Sequence, residues 1–250
     1  MSKILVKLEN IEAGYDNTKV LSDVNLTISN NDFIGVIGPN GGGKTTLLKI
    51  ILGLIKPFSG TVSLEGLPAA RKDIGYMPQI SAFDRDFPIT VYDVVLSGLI
   101  GSSSLFKKYT KEQKEYVLNL LNETGLSSLA NKAIGDLSGG QMQRTFLCRA
   151  IVHNPKLLIL DEPSTYVDKT FEGELYQMLQ RLSDKMAILL VSHDIGTISS
   201  VVKSIACVNG TWHHHNSNII TPAVMSSYNC PIELITHGQV PHRVLKNHQK

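Results

Sequence analysis

The sequence lacks the features of a secreted or membrane-spanning protein. Only three of its 250 residues are cysteine, and their odd number and wide spacing fit a reducing compartment better than a disulfide framework. No run of 18 consecutive apolar residues occurs, because the most tempting stretch, 91–105, is interrupted by Asp93 and by the cluster 101–104. The short apolar start is followed by polar residues and is not the pattern of a signal peptide. We therefore expect no membrane span.

An excess of charge of either sign is also missing. The 24 lysine and arginine residues nearly balance the 22 acidic residues, which gives a formal net charge of +2. This balance gives no electrostatic reason to expect nucleic acid or an anionic membrane as a partner. The apolar fraction of 42% is ordinary for a globular chain, and the length suffices for one large α/β domain or two small ones.

Apolar strands joined by helices predict an α/β fold. Residues 4–8 and 24–28 alternate as short strands, whereas 33–37, 157–160 and 187–191 are continuously apolar, which favours a parallel sheet covered by helices on both faces. Helical spacing predicts helices over 46–54, from 91 onward, and over 111–123, 141–152 and 171–182. We predict a sheet core of residues 1–81 and 154–206, an inserted helical subdomain of residues 82–153, and a small C-terminal tail of residues 207–250.

The segment 38–45, GPNGGGKT, matches the phosphate-loop pattern G-x-x-x-x-G-K-[ST]. Its glycines allow backbone N–H groups to surround phosphate oxygens at a helix N-terminus, Lys44 supplies a positive charge, and the Thr45 hydroxyl is a Mg²⁺ ligand. A plain glycine-rich turn is the alternative, but a strand precedes the segment and a helix follows it. The predicted nucleotide-binding residues here are Gly38, Pro39, Asn40, Gly41, Gly42, Gly43, Lys44, Thr45 and Thr46.

Two acidic residues follow the buried strand 157–160 at the edge where ligands bind in open α/β sheets. We predict that Asp161 holds Mg²⁺ through water and that Glu162 polarises the attacking water. The segment 137–141, LSGGQ, is a second glycine-bearing helix start and hence a second candidate anion site. Taken alone, it is equally an ordinary helix cap.

With LSGGQ placed 20 residues before Asp161 of LDEP, the sequence closely resembles the ATP-binding subunit of ABC transporters over residues 4–206. The resemblance implies an ATPase whose cofactors are ATP and Mg²⁺. It implies that Tyr15 stacks on adenine, that Gln79 reaches Mg²⁺ and the water, and that His193 contacts the γ-phosphate. It also assigns nucleotide contacts to Asp168, Ser138, Gly139, Gly140 and Gln141. Without it, Tyr15 could be a packed surface residue and His193 a helix cap.

The same resemblance implies partners. In this family the signature of one subunit closes over the phosphate loop of another. Because this chain has one phosphate loop and one signature, we expect a pair of ATP-binding subunits that are two copies of the chain. We expect the pair to be bound beneath integral-membrane permease subunits at the cytoplasmic face of the membrane. The segment 80–110, which includes Phe83, Phe87 and Phe106, is the expected docking surface for the permease. A separate substrate-binding protein is a further expected partner.

The tail resembles the zinc and manganese importer branch of the family in the segments 230–238 and 241–245, as does the segment 86–91. The alternatives are an ABC ATPase for an iron complex, a soluble ABC ATPase acting on DNA or ribosomes, and a metal-binding module that has lost activity. Residues 212–216 are predicted to be extended, which would put His213 and His215 on one face and His214 on the other. Two ligands are too few for a zinc site, so we favour a packing tail.

Overall fold

The computed structural model describes residues 3–67, 70–79, 87–99, 108–164, 169–193, 195–219, 234–236 and 241–243. The chain divides into two compact units: a first unit of residues 1–66 and 187–250, and a second unit of residues 67–186. The domain boundaries given above stay a prediction. Asp168, and the parts 80–86 and 100–107 of the expected docking segment, lie outside the described residues.

The first unit contains an antiparallel sheet of three strands, β1 (Ile4–Tyr15), β2 (Thr18–Ser29) and β4 (Ser59–Ser63), in the order β2-β1-β4. The alternation over 24–28 gives alternate burial, with Val24, Leu26 and Ile28 inside. β1 and β2 are each 12 residues long, so the expected short strands with turns between them were wrong. Long-range pairing and several bulges extend both strands.

The first unit also contains strands in the order β7-β3-β8-β9. These are β3 (Phe33–Ile37), β7 (Ala187–Val191), β8 (Ser204–Asn209) and β9 (Thr211–His215). β3 is parallel to β7 and β8, and all residues of β3 and β7 are buried, as continuous apolar strands predict. Helices α1 (Lys44–Ile51) and α6 (Ile195–Ser199) follow β3 and β7, and a pair β10 (Leu234–Thr236) and β11 (Pro241–Arg243) lies in the tail.

The second unit contains a parallel pair, β5 (Ile74–Met77) and β6 (Leu157–Asp161). Its helices are α2 (Val91–Ser97), α3 (Lys111–Glu123), α4 (Gly139–Ile151) and α5 (Lys169–Leu182). Thr90, Thr110 and Ser138 cap α2, α3 and α4 with their hydroxyl oxygens, which explains why these three helices begin where they do.

Three helices differ in extent from the sequence prediction, and one of them, α5, begins at Lys169 rather than at residue 171. α1 ends at Ile51 rather than at residue 54 because the chain turns at Gly53, whose φ is +66°. α4 begins two residues earlier than predicted because Ser138 is its cap.

Within the part of the chain that the structure describes, no helix combines the length and apolarity needed to cross a membrane.

Candidate functional site

The phosphate loop, residues 38–43, joins the carboxyl end of β3 to α1 in the first unit. Lys44 begins α1 and is only 7% exposed, and its ammonium donates hydrogen bonds of 3.0 Å to the carbonyl oxygens of Gly38 and of Pro39. The Gly42 N–H donates to the same Pro39 oxygen at 3.1 Å. The loop is therefore curled around the ammonium group.

Gly43 forms the N-terminal boundary of α1. Its φ is +100°, and no side chain caps the helix. A Cβ at this position would lie 2.5 Å from Leu21 Cδ2, so the backbone conformation and the packing both require glycine. A helix N-terminus carries partial positive charge. With a glycine boundary, a buried ammonium and the exposed Thr45 next to it, this terminus fits a phosphate group.

Gly42 has little room for a side chain. A Cβ at Gly42 would lie 2.8 Å from the Val208 carbonyl oxygen and 3.0 Å from that of Pro39. The end of β8 thus crowds the loop, and glycine avoids that contact. Of the other predicted loop residues, Asn40 and Gly41 are exposed and Thr46 is buried.

His193 directly follows β7. Since β3 and β7 are neighbouring parallel strands and the Ser192 N–H donates to the Val36 carbonyl at 3.1 Å, His193 lies at the same edge of the sheet as the start of the phosphate loop. Its side chain is exposed. This position agrees with the predicted contact to a terminal phosphate.

The two predicted acids of the second unit lie at the carboxyl end of β6. Asp161 is the last residue of that strand and is 5% exposed. Glu162 follows with a φ of +49°, a left-handed conformation that is unusual for a residue with a side chain and typical of functional sites. The backbone therefore changes conformation directly after the strand, at Glu162.

Gln79 and Glu162, which are 83 residues apart, meet in the structure. The Gln79 Nε2 group donates a hydrogen bond of 3.0 Å to Glu162 Oε2. The pairing of β5 with β6, in which Met77 is opposite Leu160, brings the two segments together. Carboxylate and amide oxygens are ligands that suit Mg²⁺, and Asp161 and Gln79 carry groups of these two kinds.

Tyr76 is a neighbour of this group that the sequence did not single out. Burial, with a contribution from the negative charge of Asp161, raises the pKa of Tyr76 to about 12. The phenol therefore stays protonated at any physiological pH. A half-buried tyrosine in a strand gives no signal in the sequence beyond ordinary packing.

The signature segment forms the start of α4. The Ser138 hydroxyl oxygen accepts from the Gln141 N–H at 3.3 Å, and Gln141 Oε1 accepts from the Ser138 N–H at 3.1 Å. The alternative of an ordinary helix cap is thus realised. It does not compete with an anion, because a hydroxyl whose oxygen accepts can still donate its hydrogen.

Tyr15 ends β1 beside a turn whose residues Asp16 and Asn17 both have positive φ. The tyrosine is 42% exposed, and the ammonium of Lys49 lies 3.3 Å from its hydroxyl oxygen. An exposed ring suits stacking on a base, whereas a packed surface residue would be more covered.

The histidines of β9 alternate as predicted. Thr211 Oγ1 is 3.1 Å from His213 Nε2 on one face, while the ring of His214 lies 6.2 Å from that of Trp212 on the other. Among the residues that the structure describes, no group of three or more histidine, cysteine or acidic side chains could hold a metal ion.

The family model and the similar proteins found by comparison identify the same family. Residues 21–165 match the family model of the ABC transporter. The zinc import ATP-binding protein ZnuC of Hydrogenovibrio crunogenus is 41% identical over 209 residues, which cover 82% of this chain and 79% of that protein. The manganese transport system ATP-binding protein MntB of Bacillus subtilis is 40% identical and covers 77% of this chain and 78% of its own length.

Solved structures agree on the fold. A nucleotide-free ATP-binding cassette from an ABC transporter has a TM-score of 0.76 at 25% identity, over 90% of this chain and 94% of that one. An ATP-binding cassette in a dimeric, post-hydrolysis state with ADP and Pi has a TM-score of 0.71 at 27% identity, over 84% and 98%. The α/β fold is that of a P-loop ATPase, and this chain belongs to the ATP-binding ATPase family of ABC transporters.

Proposed function

We propose that the chain is the ATP-hydrolysing subunit of an importer for a divalent metal ion, zinc or manganese. The names of the relatives support this proposal, since they include zinc and manganese transport proteins. The tail sequence, which resembles the same branch, points to the same cargo. In this proposal the permease subunits and a separate substrate-binding protein select the ion, and this chain powers the movement from the cytoplasmic face of the membrane.

Each residue of the proposed site has a role that suits its chemistry. Lys44 and the N–H groups of the phosphate loop bind the ATP phosphates, and His193 contacts the terminal one. When bound, Mg²⁺ neutralises phosphate charge, and Thr45, Asp161 and Gln79 are the residues that would hold it. Tyr15 stacks on the base, while Asp168 and the signature residues 138–141 complete the contacts to nucleotide.

Glu162 is the proposed general base. The hydrogen bond from Gln79 to Glu162 carries this assignment, because it orients a carboxylate of one motif with an amide that the sequence analysis had assigned to the same water. A carboxylate that accepts from an amide keeps further lone pairs for a water molecule.

The substitution Glu162→Gln tests the role. It keeps the shape of the side chain and should retain Mg-ATP binding, because Lys44, Thr45 and Asp161 remain. It should lower the hydrolysis rate by roughly 10²- to 10⁴-fold, which is the usual contribution of a positioned base. Phosphate release under saturating ATP and equilibrium ATP binding are the two measurements.

Glu115→Gln, on the exposed side of α3, is the matched control and should keep full activity. ATP should also hold two copies of the Glu162→Gln chain together, since the closed pair cannot hydrolyse its nucleotide, and size-exclusion chromatography with ATP reads this out. Equal turnover in wild type and the Glu162→Gln variant would contradict the assignment.

The cargo requires a transport assay. The chain with its permease, reconstituted in vesicles with the substrate-binding protein, should take up Zn²⁺ or Mn²⁺ when ATP is present on the side of this subunit. Uptake should be lost with Glu162→Gln and kept with Glu115→Gln. Uptake of a chelated iron complex, without uptake of either free ion, would contradict the metal-ion proposal while leaving the ATPase assignment intact.

Phe87 supports docking to the permease. It is 55% exposed, and an exposed phenylalanine in a segment that follows Gln79 along the chain is the kind of anchor that a membrane partner would bury.

A further inference from the structure

Lys49 lies in the last turn of α1, and Tyr15 lies at the end of β1; both belong to the first unit. The ammonium nitrogen of Lys49 is 3.3 Å from the Tyr15 hydroxyl oxygen and 5.4 Å from the centre of the ring. Neither the phosphate-loop motif nor the resemblance to the family assigns a role to this lysine. Together, these two distances locate the ammonium group relative to the tyrosine ring.

The ammonium lies beyond the hydroxyl end of the ring and not above a face. A cation held 5.4 Å directly above the ring centre would be farther than 5.4 Å from the hydroxyl oxygen, yet the observed separation is 3.3 Å. The contact is therefore a hydrogen bond to the hydroxyl group. The ammonium group therefore does not lie directly above either face of the Tyr15 ring, as a cation in a face-on cation–π contact would.

The hydrogen bond connects the exposed side chain of Tyr15 to helix α1. The Tyr15 side chain is 42% exposed beside a turn, and an exposed ring has rotamer freedom that it must lose when it binds a ligand. Lys49 is on α1, the helix whose first turn includes Lys44 and Thr45. Five residues of helix span about 7.5 Å along the axis, so one short helix holds both the phosphate-binding groups and the anchor of the ring.

We propose that Lys49 is a positioning residue for the nucleobase: it holds the hydroxyl end of Tyr15 so that a ring face is ready to stack on adenine while the phosphates bind at the other end of α1. This inference rests on the proposed function, in which Tyr15 stacks on the base. Lys49 acts through Tyr15 and makes no contact with phosphate in this proposal.

The test compares ATP with inorganic tripolyphosphate, which has phosphates but no base. Lys49→Met keeps the apolar stem and removes the donor, and Tyr15→Phe keeps the ring and removes the acceptor. Each should weaken ATP binding about threefold to tenfold, the usual range for one partly exposed hydrogen bond. The double variant should bind ATP no more weakly than the poorer single variant, since both changes remove the same contact. Tripolyphosphate affinity should be unchanged throughout.

Lys19→Met is the matched control. Lys19 lies on the same hairpin and forms an ion pair with Glu12 at 2.8 Å rather than with Tyr15, so ATP binding should be unaffected. Lys49→Arg, which can still donate to the hydroxyl, should restore most of the affinity that Lys49→Met loses. A Lys49→Met variant that binds ATP normally, or that loses as much affinity for tripolyphosphate as for ATP, overturns the proposal, as does an additive double variant.

Tyr15→Ala separates this inference from the function on which it rests. If Tyr15→Ala weakens ATP binding and Lys49→Met does not, the stacking assignment survives and the role of Lys49 fails. If Tyr15→Ala leaves ATP binding unchanged, the stacking assignment itself is wrong, and the inference fails with it.

Discussion

Helices α1 and α4 both begin at glycine-rich segments, yet their first turns are satisfied in different ways. α1 follows Gly43, which has a left-handed backbone and offers no side chain as a cap. α4 follows Ser138, which forms a reciprocal capping box with Gln141. Thr110 and Gln113 form the same capping box at α3, far along the chain from either glycine segment.

The difference separates a helix start that a side chain caps from one that no side chain caps. A capping box supplies acceptors for the N–H groups of a first turn from the chain's own atoms. A glycine boundary supplies no side-chain acceptor, and the positive end of a helix favours an anion. In the proposed ATPase the phosphate loop binds the ATP phosphates, and the signature segment adds the groups that its cap does not use.

The largest expected effect comes from closing the open terminus with a methyl group. Gly43→Ala introduces a Cβ at a φ of +100° and 2.5 Å from Leu21 Cδ2. Strain of this kind costs about 1–3 kcal/mol before the clash is counted, so ATP affinity should fall by roughly 10²-fold or more. Isothermal titration with Mg-ATP measures the change.

The matched control for Gly43→Ala is Gly125→Ala. Gly125 also has a positive φ, +71°, but it follows α3. This variant should lose stability and keep ATP affinity. Normal ATP binding by Gly43→Ala would show that the loop tolerates a side chain. It would contradict the proposed difference between the starts of α1 and α4.

The second expected effect separates hydrolysis from binding. Ser138→Arg puts a bulky cation at the start of α4, and it should abolish hydrolysis while one chain still binds ATP, because the proposed defect lies in the contact with a second copy. Thr110→Arg removes the equivalent cap from α3 and adds the same charge, and it should leave hydrolysis unchanged. The measurement is the hydrolysis rate as a function of protein concentration. Full activity of a monomer, with no second-order dependence on that concentration, would contradict a composite site.

A smaller effect tests the cap alone. Ser138→Ala and Thr110→Ala each remove a capping hydroxyl, so each should lower the free energy of unfolding by about 1 kcal/mol, as measured by urea denaturation. Only Ser138→Ala should also lower the hydrolysis rate, since only its hydroxyl is proposed to donate to nucleotide. Equal hydrolysis rates in the two variants would reduce the signature serine to a helix cap.

The smallest effect concerns a glycine inside a helix. Gly173 lies in α5 with a helical backbone and open space where a Cβ would be. Gly173→Ala should therefore raise the free energy of unfolding by about 0.4–1 kcal/mol and leave ATP affinity unchanged. A loss of stability would mean that the glycines of this chain are needed even where neither φ nor packing requires them.

Local features were predictable from the sequence because their causes are local. α3 spans residues 111–123, as predicted, since Thr110 and Gln113 fix its start within one turn. β7 spans 187–191, as predicted, because five consecutive apolar residues fit a strand that is buried on both faces.

Features that depend on long-range pairing were not predictable from spacing. The extent of β1 is set by its pairing with β2 and β4, and an alternation over five residues does not reveal a strand of 12. The meeting of Gln79 with Glu162 follows from the register of β5 and β6. The contact between Lys49 and Tyr15, 34 residues apart, has no pattern in the sequence that would indicate it.

The ammonium of Lys44 has consequences for nucleotide exchange. Because two carbonyl oxygens of the loop accept its hydrogen bonds, the loop has an internal substitute for phosphate oxygens and keeps its curled shape between turnovers. An arriving ATP then meets a preformed cradle, so that association needs no refolding of the loop.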